Sequence, residues 1–282
     1  MPPRRFGHTH LAQLVLPPPC PSQTSTGTST NDNIMTIIKK TSLGLFSAAS
    51  LITASTAQAG DLSASLSLDT NSHFISYGFD VWGAGDDQDI LFNPSLSVDY
   101  KINDNWAFST GFWLDVNDKP AGSSFRTQET DTWVGFAYSK DIYTVSATYQ
   151  SWQYASDTEE ILDVALSLDT FLSPSLTWHN RLDPGASGGS NGSFLVLGAE
   201  HSFDINEKFS LTVPVAVGFA LSEFHTAQDG YGYASIGLQG SYVINEMSAL
   251  NFGITYYDTD SGVVGNAEDS FLTYNAGISF SF

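Results

Sequence analysis

Ser270-Phe271-Leu272-Thr273-Tyr274-Asn275-Ala276-Gly277-Ile278-Ser279-Phe280-Ser281-Phe282 is the stretch on which the reading of this chain turns. Side chains of an extended strand point alternately to its two faces. Leu272, Tyr274, Ala276, Ile278, Phe280 and Phe282 therefore share one face, and Thr273, Asn275, Gly277, Ser279 and Ser281 the other. A half-buried strand of a soluble sheet sets its apolar face on a core and turns its polar face to water. Here the polar face is made of small residues and the chain stops on an aromatic, as expected of a strand with lipid on its oily side and a lumen on the other.

The same alternation runs upstream. Phe209, Leu211, Val213, Val215, Val217 and Phe219 oppose Ser210, Thr212, Pro214, Ala216 and Gly218, while Leu62, Ala64, Leu66 and Leu68 oppose Ser63, Ser65, Ser67 and Asp69. A slip of one residue would turn each strand inside out, so the faces constrain the register. Five short turns, at 103–105, 140–141, 169–170, 206–208 and 245–247, alternate with six longer loops around 71–89, 117–129, 155–159, 183–192, 223–231 and 261–269. Eleven such connections need about twelve strands, with both ends on the short-turn side, which is the parity of a barrel that crosses a membrane. A β-sandwich also yields many alternating strands but has no reason to gather its long loops at one end. The predicted fold class is all-β, a transmembrane antiparallel up-and-down β-barrel. Tyr100, Tyr138, Tyr143, Phe203, Phe209, Tyr242 and Phe282 fall near the short-turn ends, where an interfacial girdle belongs.

Composition agrees. No uncharged apolar run after residue 60 approaches the roughly 20 residues of a membrane helix, whereas a barrel strand shows only alternate residues to lipid. Of the ten basic residues four precede residue 60, as does one of the thirty acidic ones, leaving six bases against 29 acids in the body. So acidic a body lacks the basic stripe that nucleic acid requires. The single cysteine, Cys20, lies in the leader, so no disulfide framework is expected.

That leader divides in two. Residues 1–34 are rich in Pro, Ser and Thr without periodicity and read as mis-assigned upstream sequence. Residues 35–59 read as a cleaved signal peptide: a basic start at Lys39 and Lys40, an apolar run from Leu43 to Ala54, and a small-x-small site at Ala57-Gln58-Ala59. The barrel is expected over 60–282.

The terminal strand, with Tyr274, Phe280 and Phe282, resembles the last strand of bacterial outer-membrane β-barrels of the small porin type. The stretch Asn71-Ser72-His73-Phe74-Ile75-Ser76-Tyr77-Gly78-Phe79-Asp80-Val81-Trp82 resembles the opening of the TorF-like porin group. The resemblance implies a Gram-negative outer membrane, with lipid and lipopolysaccharide around the barrel. It also implies that Tyr274, Phe280 and Phe282 form the insertion signal read by the barrel-assembly machinery.

Inward positions are mostly Ser, Thr, Gly, Ala and Asn, which predicts a narrow water-filled bore that the loop at 71–89 can constrict. Trp113, Trp133, Trp152 and Tyr154 are the inward aromatics, near the outer ends of consecutive strands. They are candidates for stacking on saccharides; the competing account makes them girdle residues or wall braces. Inward charges are Asp69, Asp99, Asp115, Asp131, Asp163, Asp169 and Glu200, with His179 and the bases Lys101 and Arg181. Carboxylates facing open water favour cations, although networks with Arg181 and Lys101 would brace the wall equally well. The expected function is passive diffusion of small polar or cationic solutes, with a closed structural or adhesive barrel as the alternative. A barrel hydrolase needs a nucleophile and a base on one face; His201 and Ser202 are adjacent and so oppose each other, and residues 60–282 contain no His-x-Ser. No cofactor or metal is expected, because no dinucleotide, phosphate-loop or metal-ligand spacing occurs.

Overall fold

The structure, a computed structural model, describes residues 62–83, 85, 90–119, 124–187 and 190–282. The expected leader and residues 84 and 86–89 of the expected long loop lie outside these residues. The strands are β1 (Leu62–Asn71), the two-residue β2 (Ile75–Ser76) and β3 (Phe79–Asp80), β4 (Leu91–Lys101), β5 (Trp106–Asn117), β6 (Arg126–Lys140) and β7 (Tyr143–Tyr154). They continue with β8 (Asp157–Leu168), β9 (Ser175–Asp183), β10 (Ser193–Asp204), β11 (Phe209–Ser222), β12 (Gly230–Asn245), β13 (Ser248–Thr259) and β14 (Ser270–Ser281). All but β2 and β3 pair antiparallel with their neighbours in sequence, and β1 pairs with both β4 and β14. That last pairing closes a twelve-stranded barrel and leaves no sheet edge.

The faces fall as the alternation dictates. Leu197, Ile236, Leu238, Phe252, Tyr256 and Tyr274 point outward and are exposed, while Thr212, Ala216, Asn251 and Ser279 point inward and are buried. Small inward hydroxyls bond across strands: Ser65 to Ser97 at 2.7 Å, Ser202 to Thr212 at 2.8 Å, and Asn251 to Ser279 at 2.8 Å. An apolar exterior running around a closed sheet has hydrocarbon as its matching solvent. At the short-turn rim, the Trp106 ring lies tilted against Tyr138 at 5.2 Å and Tyr138 against Tyr143 at 6.4 Å, and Phe209 pairs in register with Tyr242, where the girdle was expected. On β6–β8 the apolar belt stops below Thr132, Ser151 and Glu160, which lie in register with one another.

Three connections differ from the sequence expectation. The outer turn between β7 and β8 is two residues, Ala155 and Ser156, both with positive φ (48° and 66°), as a tight hairpin requires. The segment 157–159, expected as part of a loop, is strand, and its Glu159 points inward to a partner, Arg181. Likewise β6 begins at Arg126, so Glu129 belongs to the wall rather than to a loop. Asp169 lies past the end of β8 in an exposed short turn and is not a lining residue, because β8 stops at Leu168 and the turn runs on to Pro174.

Candidate functional site

The described part of the segment after β1, Ser72 to Trp82, turns into the barrel mouth and docks on the inner wall, meeting side chains of β5, β7, β9, β10 and β12. Its tip is the β2–β3 hairpin, turning at Tyr77 (φ 47°) and Gly78 (φ 88°). Glycine is required at position 78: besides its left-handed backbone, an added Cβ would lie 2.7 Å from the Tyr233 ring. Asn266 clamps the tip from the loop after β13, donating to the Gly78 carbonyl at 2.8 Å and accepting from the Asp80 amide at 2.9 Å. A short helix, α1 (Ser261–Val264), precedes it, capped by Asp260; it buries Val264 and sets Val263 in the hydrophobic cluster that contains Tyr77.

Tyr77 fills an aromatic socket. Its ring lies 6.0 Å from Trp152, 4.4 Å from His179, 5.5 Å from Phe194 and 4.8 Å from Phe224, the last two from β10 and the loop after β11. Phe74 sets its ring on Trp113 at 4.9 Å. Burial, then the Asp163 and Glu159 carboxylates beside it, holds the Tyr77 hydroxyl well above its ordinary value, so it stays protonated. His225, in the loop after β11, meets the Tyr77 carbonyl through Nε2 at 3.2 Å; burial and then the Arg181 charge pull its pKa down to about 3. Because a neutral imidazole must donate to a carbonyl, Nε2 carries its proton.

Beneath the loop lie five buried carboxyls. Asp115 accepts from Trp82 Nε1 at 2.7 Å, from Asn117 at 2.8 Å and from Asn93 at 3.2 Å. Trp82 thus ties the loop directly to the wall. Glu159 binds Arg181 Nε at 2.7 Å and accepts the Tyr154 hydroxyl at 2.5 Å. Asp163 meets His179 Nδ1 at 2.6 Å and accepts from the Gln150 amide, whose oxygen takes the Trp152 indole N–H at 3.1 Å. Arg181 also donates to the Phe224 carbonyl at 2.6 Å and holds its guanidinium 4.1 Å from the Phe224 ring centroid, so it locks a second outer loop over the socket. Glu129 and Asp131 stand apart: neither accepts a bond from a donor on any other described residue, and each has the other's carboxyl beside it.

The inward aromatics of the sequence reading, Trp113, Trp133, Trp152 and Tyr154, all face the lumen at this level and are buried. The loop brings them together with Asp115, Asp131, Asp163, His179 and Arg181. Asp69, Asp99 and Glu200 line other parts of the bore, and Lys101 sits at the short-turn rim, 3.1 Å from Asp104. Glu129 and Glu159 were missed because the expected loop boundaries swallowed them. Continuing the alternation two residues outward from Asp131 and Ile161 finds both.

No protein-family model matches the chain, and neither does any curated protein. Among solved structures it is similar to the KdgM porin (9% identity, TM-score 0.46, covering 78% of this chain and 99% of that one). It is also similar to the NanC porin (14%, 0.46, 76% and 98%) and to the outer-membrane phospholipase A of Escherichia coli (12%, 0.44, 77% and 89%). Likenesses at this level say nothing of what this chain transports or catalyses.

Proposed function

We propose that this chain is an outer-membrane, porin-like channel for small polar or cationic solutes, closed at its outer mouth in this conformation by the docked Ser72–Trp82 segment. The observation that carries the reading is the contrast between the two ends of the bore. Toward the short turns the lining is Ser, Thr, Gly and Asn; at the outer mouth the bore is filled by a loop held through side chains, with no covalent tie to the wall. Small linings leave room for water, and a non-covalent plug can lift.

Asp69, Asp99 and Glu200 face the bore, and Lys101, the inward base toward the short turns, is already bonded to Asp104, a balance that concentrates cations and repels anions. Export by the 35–59 signal peptide, insertion through Tyr274, Phe280 and Phe282, and lipopolysaccharide around the belt complete the proposal. Saccharides belong to it only after the loop has lifted, because Trp113, Trp133 and Trp152 serve as the plug's seat. A second reading, a permanently closed structural barrel, is favoured by the depth of Tyr77 in its socket.

Planar-bilayer recording separates the two. The proposal expects rare openings from the folded wild-type protein and steady, cation-preferring current once residues 73–89 are replaced by a short Gly-Ser linker. Silence from both proteins, each folded by its heat-shifted mobility on gels, would leave the closed barrel.

A further inference from the structure

Asp131 lies in register between Trp113 of β5 and Trp152 of β7, and Glu129 between Asp115 and Tyr154. Trp133 is the next inward residue along β6. Four aromatic side chains therefore border a pair of carboxyls that are 3% and 0% exposed. Both oxygens of Asp131 and Oε1 of Glu129 lack hydrogen-bond partners, as does the Trp133 indole N–H.

The bases nearby are engaged elsewhere. Arg181 gives Nε to Glu159 and Nη1 to the Phe224 carbonyl, leaving Nη2 without a partner among the described residues and not on the pair, and His179 binds Asp163. Asp115 on the neighbouring strand and Glu159 beyond Trp152 add negative charge around the pair, Tyr154 gives its hydroxyl to Glu159, and Tyr77 brings only a neutral ring. Two carboxylates side by side and out of water are costly, and acceptors without donors add to the cost. With the loop docked, a proton shared between the two carboxyls relieves part of that cost.

We propose that Glu129 and Asp131, framed by Trp113, Trp133, Trp152 and Tyr154, form a recognition site for a compact organic cation bearing N–H donors, an alkylammonium or guanidinium. Such a cation supplies the charge and the donors that the pair lacks, and aromatic faces attract it. A metal ion fits less well, since the described residues contain no group of three His, Cys, Asp or Glu placed to hold one. Phe74 on Trp113, Tyr77 on Trp152 and Trp82 on Asp115 cover the site, so binding requires the loop to lift and in turn holds it open. The inference rests on the channel reading for the route by which the cation arrives.

The test is a tryptophan-fluorescence titration of the detergent-solubilised protein with methylguanidinium, against the neutral isostere N-methylurea. Methylguanidinium should give a saturable change that N-methylurea does not, tightening as pH rises because the pair must first lose its proton. Glu129→Gln and Asp131→Asn should each weaken it about tenfold or more. Tyr77→Ala, which leaves the acids in place, should tighten the apparent affinity because less of the binding energy goes into lifting the loop. Equal responses to both probes, wild-type affinity in the Glu129→Gln/Asp131→Asn double variant, or no tightening in Tyr77→Ala would each overturn the site. The readout needs no current: binding without conductance would refute the channel and keep the site, and conductance without binding would do the reverse.

Discussion

On the proposed channel reading, Tyr77→Ala removes a ring that holds the mouth closed. Tyr77 meets four rings at 4.4 to 6.0 Å and is 2% exposed, so the docked state loses a fully packed aromatic while the lifted loop loses almost nothing. Truncation of a buried aromatic to alanine costs about 3–5 kcal/mol. Taking the low end, about 3 kcal/mol, and tenfold per 1.4 kcal/mol, the ratio of closed to open channels falls roughly 100-fold. The barrel itself should remain, since its closure by β1, β4 and β14 does not involve the socket. Single-channel recording in planar bilayers reads the ratio directly as dwell times, with closed dwells shortened more than open dwells are lengthened. A folded Tyr77→Ala channel whose open-state occupancy stays within about twofold of wild type would refute the claim that this ring holds the mouth shut.

His225 sets a pH dependence of definite sign. Its pKa falls from an ordinary value of about 6.5 when free to about 3 when docked, so docking is fully supported above about 6.5 and loses about 1.4 kcal/mol per unit as pH falls toward 3. Open-state occupancy should therefore climb on acidification, and His225→Asn should flatten that climb; an unchanged acid limb in the variant removes His225 from the account. Arg181→Ala strands Glu159 without its cation and should destabilise the outer half of the wall by about 3–5 kcal/mol, read as a lower thermal transition in detergent, whereas Arg181→Met with Glu159→Gln should recover part of it. Equal melting of the single and double variants would mean that the ion pair contributes nothing. Neutralising Asp69, Asp99 and Glu200 together to Asn, Asn and Gln should lower the cation-to-anion permeability ratio of the loop-replaced channel, and an unaltered ratio would assign selectivity to other groups. In the same background, Trp113→Ala and Trp152→Ala should change the block of current by sugars; identical block by every sugar tried would remove the saccharide reading.

The outline of the barrel was legible in the amino-acid order because its cause is local. A strand's two faces are separated by a period of two, and the choice between lipid and lumen for each face recurs in every strand from Leu62 to Phe282. Strand number, closure parity, the girdle at the short turns and the inward direction of Trp113, Trp133, Trp152, Asp131, Asp163, His179 and Arg181 all follow from that repetition. Expected loop boundaries defeated the same rule: 157–159 and the residues before Asp131 look like loop until Arg181 and the aromatic wall give their inward members somewhere to go. Tertiary structure alone decided the state of the mouth. Tyr77 is held by Trp152, His179, Phe194 and Phe224, which come from four separate segments, and Asn266 reaches its hairpin across nearly two hundred residues of chain. Such docking depends on which side chains the closed wall brings face to face, and no periodicity along the chain records that.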